Sequence, residues 1–262
     1  MIQIIKNPCQ DLFYDMIASS QSEISLCAPF VKTDIVSKVL QIKNKNVTIS
    51  LITNSNLGAF ASGGSDINAI KSLLSHGFNV YNYQNLHAKI YIFDNEKAII
   101  TSANLTYGGL VCNYEYGILI KDNIDTLHSM KNDYNSMIQS ELCGVFDSIK
   151  INQIEKTITK LGTKPKLFID SDSDVILTND NIPAMAKHLN GWQKEVFGII
   201  SSIPDSVFTN QELLGYLPYF KEKYPRSKTP DRTLSRVLQE LRDMGLIKFI
   251  RRGYYKKLWE SK

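Results

Sequence analysis

Cysteine is scarce in this 262-residue chain. Cys9, Cys27, Cys112 and Cys143 are scattered, with no CxxC pair and no histidine at ligand spacing. That excludes a zinc site and a disulfide framework, and predicts buried free thiols. No apolar run reaches the roughly eighteen residues a membrane-spanning helix needs, and the opening MIQIIKNPCQDLFYDMIASS lacks the basic then continuously apolar pattern of a secretory leader. A soluble, cytoplasmic protein is the expectation. The acidic run SDSD, residues 171–174, has neither the glycine nor the distal glutamate of a calcium loop and reads as a solvated turn. No metal or other cofactor is expected. Histidine is also scarce, and of His76, His87, His128 and His188 only His87 has a lysine two residues on. No internal repeat duplicates that pair.

Positive charge is present but uneven. The chain is +4 overall, yet residues 191–262 hold 14 Lys and Arg against 8 Asp and Glu, a net +6 that leaves −2 for the remainder. Concentrated basic charge on a structured segment suits the neutralisation of backbone phosphates. Length and this shift predict two domains, residues 1–146 and 191–262, joined by a linker at 147–190 where Gly, Pro and SDSD interrupt any helix.

The first domain reads as α/β. Strands are expected at 23–31, 47–53, 79–83 and 114–120, a helix at 33–43 capped by Thr33, and another opening at the Ser62–Asp66 run and stopping at Gly77. That glycine-rich opening reads as a plain cap or, less readily, a phosphate cradle. An amphipathic helix follows at 123–142 through Ile124, Leu127, Met130, Tyr134 and Met137.

The stretch 86–104, LHAKIYIFDNEKAIITSAN, organises the rest. Alternation from Leu86 to Phe93 predicts a strand, Asp94 to Lys97 a type I turn, and Ala98 to Ile100 the returning strand. With Asp94 opposite Lys97, Lys89 would face Ser102 and His87 would face Asn104. An imidazole, an ammonium, a hydroxyl and an amide would then converge, as suits a phosphodiester held beside a nucleophile.

His87, Lys89, Asp94, Ser102 and Asn104 together resemble the HKD motif of the phospholipase D superfamily, with Thr101 standing where glycine is usual. Asn113 and Glu115 resemble the Asn-x-Glu that often follows. The N-terminal half is most similar to the Nuc-type, Bfi-type and NgoFVII-type nucleases, which carry one motif per chain. The resemblance implies a mixed sheet flanked by helices and a metal-independent attack by His87 on phosphorus. It further implies that Lys89 and Asn104 stabilise the phosphate oxygens, that Asp94 holds the turn, and that Glu115 orients the His87 ring. With one motif histidine per chain, a homodimer through these domains would supply the second.

In the C-terminal segment, helices are expected at 192–203, 210–219 and 230–244, with Thr229 as N-cap, Pro230 at the first position and Gly245 beyond the end. A basic hairpin follows, with strands at 247–250 and 254–258. Leu234, Val237, Leu238 and Leu241 form one face of the third helix and Arg232, Arg236 and Gln239 the other. Three helices and a hairpin make a winged helix, and PDRTLSRVLQELRDMGLIKFIRRGYYKK resembles the winged-helix domain of Dam-replacing proteins and Dpn-type restriction enzymes. The resemblance implies double-stranded DNA as partner. Arg232, Arg236 and Gln239 would then lie in the major groove, and Arg251, Arg252, Lys256 and Lys257 would grip backbone from the wing. N6-methyladenine would be a candidate target, with Tyr254, Tyr255 and Trp259 as candidate methyl contacts. A restriction-type endonuclease explains both halves; a lipid hydrolase or a DNA-binding regulator is the alternative.

Overall fold

The computed structural model describes residues 1–54, 56–161 and 188–259. These fall into two compact units, Met1–Ser55 with Gly63–Ile151, and Asn56–Ser62 with Asn152–Lys262.

The first unit runs β1 (Ile2–Lys6), α1 (Gln10–Ser19), β2 (Glu23–Cys27), α2 (Thr33–Ile42) and β3 (Thr48–Thr53). The chain then leaves for the short helix α3 (Leu57–Ala61), which groups with the second unit. It resumes with α4 (Ile67–Ser75), β4 (Asn79–Tyr83), β5 (Ile90–Phe93), β6 (Lys97–Thr101), β7 (Tyr116–Lys121), α5 (Ile124–Gln139) and β8 (Cys143–Phe146). One eight-stranded mixed sheet results, ordered β1-β7-β6-β5-β2-β3-β4-β8. β2, β3 and β4 are parallel, as the βαβ reading requires, and the remaining neighbours are antiparallel. Strands β1 and β8, at the two edges, and helix α1 were not anticipated from the sequence. On one face Phe13 of α1 meets Tyr91 and Phe93 edge-on at 5.3 and 6.2 Å. Each such pair adds about 0.5–1.5 kcal/mol beyond area burial. On the other face Leu127 and Tyr134 of α5 close over Cys27, Ile52, Ile92, Ala98 and Ile120.

Several local expectations are corrected. β5 is shorter than the alternation from Leu86 suggested, beginning only at Ile90. The hairpin register is one residue off: Phe93, not Asp94, pairs with Lys97, and the Lys89 carbonyl accepts from Thr101 N–H rather than facing Ser102. The cause is the turn. Asp94 and Asn95 both take positive φ, 53° and 58°, the mirror-image conformation that these residue types tolerate, and Glu96 N–H donates to Phe93 O. Thr33 is the first residue of α2 and not its cap; its N–H is met by the Asp66 carboxylate at 3.1 Å. The linker reading fails over Ser148–Leu161, which forms helix α6. Asp147 accepts the Lys150 N–H at its start, and Ile151 and Ile154 are buried. The SDSD run lies outside the described residues. Of the four cysteines, Cys9 and Cys27 are buried, Cys143 is half-buried and Cys112 is exposed.

The second unit contains α7 (Gly191–Ser202), β9 (Val207–Thr209), α8 (Asn210–Leu214), α9 (Leu217–Lys223), α10 (Pro230–Asp243), β10 (Ile247–Arg251) and β11 (Tyr254–Lys257). The helix expected at 210–219 is two helices. A capping box between Thr209 and Glu212 opens the first, and Pro218 lies in the opening turn of the second. β9 adds to the wing, giving a three-stranded sheet ordered β10-β11-β9. Leu234, Val237, Leu238 and Leu241 are buried, as the periodicity of α10 requires. Gly245 ends α10 at φ 74°, and a Cβ there would sit 2.7 Å from that of Asn56, so only glycine fits both the turn and the approach of α3.

Among the described residues, no helix is long and apolar enough to cross a membrane, and no group of three or more His, Cys, Asp or Glu side chains could hold a metal ion.

Candidate active site

The sheet places His87, Lys89, Ser102 and Asn104 at one end of β5 and β6. His87 is exposed, just ahead of β5, and Lys89 lies beneath it at 7% exposure. Lys89 Nζ donates to the His87 carbonyl at 2.7 Å and contacts His87 Nε2 at 3.3 Å. An ammonium has no lone pair, so a hydrogen bond across this contact can run only from Lys89 to a lone pair on Nε2. Below it, burial pushes the Cys27 thiol up to about 12 against the pull of the Lys89 ammonium, and Cys27 Sγ donates to the Ala88 carbonyl at 3.7 Å. Cys27 is a neutral floor to the site.

Asn104 is half-buried, and its Oδ1 accepts from Phe30 N–H at 3.3 Å. Its backbone is fixed by a close approach: a Cβ on Gly109 would lie 2.5 Å from the Asn104 carbonyl oxygen and 2.7 Å from its nitrogen. Gly109 belongs to a single wide π-type turn, Gly108–Cys112, and its carbonyl accepts from Asn7 Nδ2 at 2.6 Å. Neither Gly109 nor Asn7 was singled out in the sequence, because the signal is a missing side chain and a long-range contact. Gly109→Ala is expected to destabilise the fold by about 2 kcal/mol or more through backbone displacement. Loss of activity should exceed what the folded fraction explains. Denaturant unfolding alongside phosphodiesterase assay checks this.

Ser102 and Glu115 form a second cluster. Ser102 Oγ donates to Glu115 Oε2 in a short hydrogen bond and accepts from Tyr116 N–H at 3.1 Å, while Asn113 Nδ2 donates to Glu115 Oε1 at 3.1 Å. Each Glu115 carboxylate oxygen thus accepts one hydrogen bond, from Ser102 or from Asn113. The Ser102 hydroxyl ties β6 to β7. Thr101, in the place where glycine is usual, avoids positive φ, and its Oγ1 accepts from Ala103 N–H at 3.1 Å. Gly117 opposite makes room for it, since a Cβ there would lie 2.8 Å from that of Thr101.

Asp94 sits at the far end of the hairpin. Its carboxylate accepts from the N–H groups of Gln21, Ser22 and Glu23 and from the Ser22 hydroxyl, at 2.8 to 3.0 Å. Burial alone would push the carboxyl up, but these hydrogen bonds, led by Ser22 N–H, hold it below the ordinary 3.8. A depressed carboxylate contributes stability that is present above the unfolded value and lost as pH falls through the folded one. Asp94→Asn is expected to cost about 1 kcal/mol at pH 7, discounted for solvent access, with the difference from wild type shrinking as pH falls through the depressed folded value. Urea midpoints across pH measure it.

In the second unit, Arg232, Arg236 and Gln239 are exposed and, with Asp231, Ser235, Asn210 and Leu214, line a groove between α8 and α10. The 3.8 Å contact of Arg236 with Glu240 lies on an exposed surface and holds it weakly. Arg251 and Arg252 are exposed, Arg251 lying 4.2 Å over the Tyr254 ring. Lys256 is half-buried. Lys257 is corrected: at 2% exposure it is inside the wing, with its Nζ donating to the Ile203 carbonyl, and cannot grip a phosphate. Of the aromatic candidates for methyl contact, Trp259 is a core residue and Tyr255 is half-buried. Tyr255 stacks on Phe208 at 5.6 Å and Trp259 packs on Phe197 at 4.9 Å, while Tyr254 stays exposed.

The chain holds a mixed-sheet α/β domain with His87, Lys89 and Asn104 at one end of β5 and β6, and a separate winged-helix domain. Residues 13–138 match the family described as cardiolipin synthase, PLD-like domain, and residues 188–257 match the Dam-replacing HTH domain. The chain thus joins a phospholipase D-like domain to a Dam-replacing helix–turn–helix domain. It is similar to the probable cardiolipin synthase YwiE of Bacillus subtilis, 27% identical over 122 residues, which are 45% of this chain and 24% of that protein. It is similar also to the DISARM protein DrmC of Bacillus paralicheniformis, 47% identical over 53 residues, 18% of this chain and 22% of that one. Each match spans less than a quarter of the relative's length. Among solved structures, Nuc of Salmonella typhimurium, a phospholipase D family member, is 19% identical with a TM-score of 0.49, covering 56% of this chain and 99% of that one.

Proposed function

We propose that this chain is a DNA endonuclease of restriction type, in which His87 Nε2 attacks the scissile phosphorus and the bond to the leaving oxygen breaks, leaving a phosphohistidine that water then hydrolyses. Lys89 and the Asn104 amide stabilise charge on the non-bridging oxygens. The observation that carries this is the contact of the exposed His87 Nε2 with the buried Lys89 Nζ at 3.3 Å. The union with a winged helix whose outward face bears Arg232, Arg236 and Gln239 favours DNA as the substrate. On this reading residues 1–146 are the nuclease domain and no metal takes part. Cleavage of duplex DNA in EDTA tests it, and dependence on a divalent ion would sink it.

A second histidine is needed to protonate the leaving oxygen, and the reading assigns it to a second copy of the chain. An apolar strip supports this. Ile2 and Ile4 of β1, Ile100 of β6 and Tyr116 of β7 share the sheet face that α5 covers elsewhere, yet are 64%, 58%, 38% and 48% exposed. The strip reaches Tyr116, which binds Ser102, so a two-fold pairing there adjoins the site. Mixed with excess His87→Ala chain, the wild type is expected to lose activity in proportion to heterodimer formed. Heterodimers keeping half or more of wild-type activity would mean that each protomer cuts alone.

The groove on α10 also favours a methylated adenine, because Gln239 offers the amide that pairs with adenine and Leu214 an apolar surface for a methyl group. A second reading, transfer or hydrolysis of a phospholipid headgroup at the same site, is favoured by the family description and the YwiE match. Phosphatidyl vesicles in place of DNA decide between them.

A further inference from the structure

Asn104 is held through its side-chain oxygen by Phe30 N–H. Phe30 lies in the loop between β2 and α2, outside any strand, so something must fix that loop for the contact to persist. Lys32 N–H donates to the Leu105 carbonyl at 2.9 Å, and Val31 bridges to Leu105, which binds the loop to the segment carrying Asn104. From the opposite side, the loop is clasped by the turn that precedes α4. Val31 N–H donates to Ser65 Oγ at 3.1 Å, and Asp66 N–H returns a bond to the Val31 carbonyl at 2.9 Å. The Asp66 carboxylate takes Thr33 N–H on Oδ2 at 3.1 Å and Lys32 Nζ on Oδ1 at 3.0 Å, while Lys32 Nζ also reaches the Gly63 carbonyl at 2.6 Å. Ser65 and Val31 are 2% and 0% exposed, so the bond between them is made away from water, where a lost partner leaves an unmet N–H, while the Asp66 and Lys32 side chains stay partly exposed.

We infer that Ser65 and Asp66 are positioning residues for the phosphate-binding amide. They hold the Phe30–Thr33 loop so that Phe30 N–H engages the Asn104 oxygen, which fixes the flip of the amide and commits its NH2 group to the substrate. Lys32 is then a strut of the clasp rather than a phosphate ligand. The run Ser62–Asp66, read from sequence as a cap or a phosphate cradle, serves the phosphate at one remove. The Asp66 side chain caps no N–H of α4, because its carboxylate is spent on Lys32 and Thr33, and only its carbonyl meets the helix, accepting from Ala69 N–H at 3.1 Å.

The inference rests on the proposed phosphodiester chemistry, and its test separates the two. In the full chain, with bis(4-nitrophenyl) phosphate as substrate, Ser65→Ala and Asp66→Ala are expected to lower kcat roughly tenfold or more with KM within about twofold, as misplacement of a transition-state donor does. Asp66→Asn, which keeps an oxygen for Thr33 N–H, should recover part of the loss. In an Asn104→Ala background Ser65→Ala should cost nothing further, since the group it positions is gone. The side-chain amide resonances of Asn104, assigned by their loss in Asn104→Ala, should shift in Ser65→Ala. Additive losses, or an Asn104 amide signal that does not move, would overturn the positioning role. A wild-type chain inert toward DNA and aryl phosphodiester whose Asn104 signal still responds to Ser65→Ala would overturn the proposed function and uphold the positioning.

Discussion

The His87→Ala variant is expected to lose roughly ten-thousandfold or more in kcat on duplex DNA, because no other group beside Lys89 can form the covalent intermediate. The fold should be indifferent. His87 is exposed, and its ring contacts Lys89 Nζ, which keeps the His87 carbonyl as a second acceptor at 2.7 Å. Unfolding midpoints should therefore match wild type within about 0.5 kcal/mol. Quenching a reaction in alkali and probing for an acid-labile phosphoryl group on the chain checks the intermediate directly. Wild-type cleavage by His87→Ala, or an intermediate on another residue, would remove His87 from the chemistry.

The second large effect is expected at α10. In a full chain made non-cutting by His87→Ala, replacing both Arg232 and Arg236 with alanine should weaken duplex binding by roughly 2–6 kcal/mol in total, at about 1–3 for each base contact. Fluorescence anisotropy at several salt concentrations distinguishes the two ways an arginine can act. A base contact is lost for the preferred sequence alone, whereas a phosphate contact is lost for every sequence and flattens the salt dependence. Matched duplexes with and without N6-methyladenine belong in the same titration, where one buried methyl group is expected to add on the order of 1 kcal/mol. Equal binding by wild-type and doubly substituted α10 would show that this face does not read DNA. Lys257→Ala is an internal control of the opposite kind. It should damage the wing through the lost contact with Ile203, with no specific effect on DNA affinity in the folded fraction.

Much of this architecture is written locally in the sequence, and the failures are non-local. The periodicity of α10, its Pro230 start and its Gly245 stop depend on neighbours within the helix, and all three stand in the structure. The register of the β5–β6 hairpin could not be read the same way, because a three-residue and a two-residue loop suit DNEK almost equally and a single-residue slip exchanges the faces. Lys257 looked like a wing cation because a side chain that reaches inward to a carbonyl has the same sequence signature as one that reaches out. The five motif residues were legible as a spacing. Their supports, Gly109, Phe30, Ser65 and Asp66, were not, since each acts through a contact with a distant part of the chain. Helix α6 was missed because its neighbours 162–174 are rich in breakers, although Ile151 and Ile154 already carried a helical spacing.

The excursion at Asn56–Ser62 bears on how the molecule comes into being. A short stretch lying between β3 and α4 completes the folding unit of the winged helix, where Leu57 N–H donates to the Met244 carbonyl and Asn56 fills the space that Gly245 leaves open. During synthesis that stretch emerges long before its partners, so it must wait until the last residues are made. The two halves are therefore interleaved along the chain, and an exchange of the C-terminal module between relatives would have to carry a compatible Asn56–Ser62 segment with it.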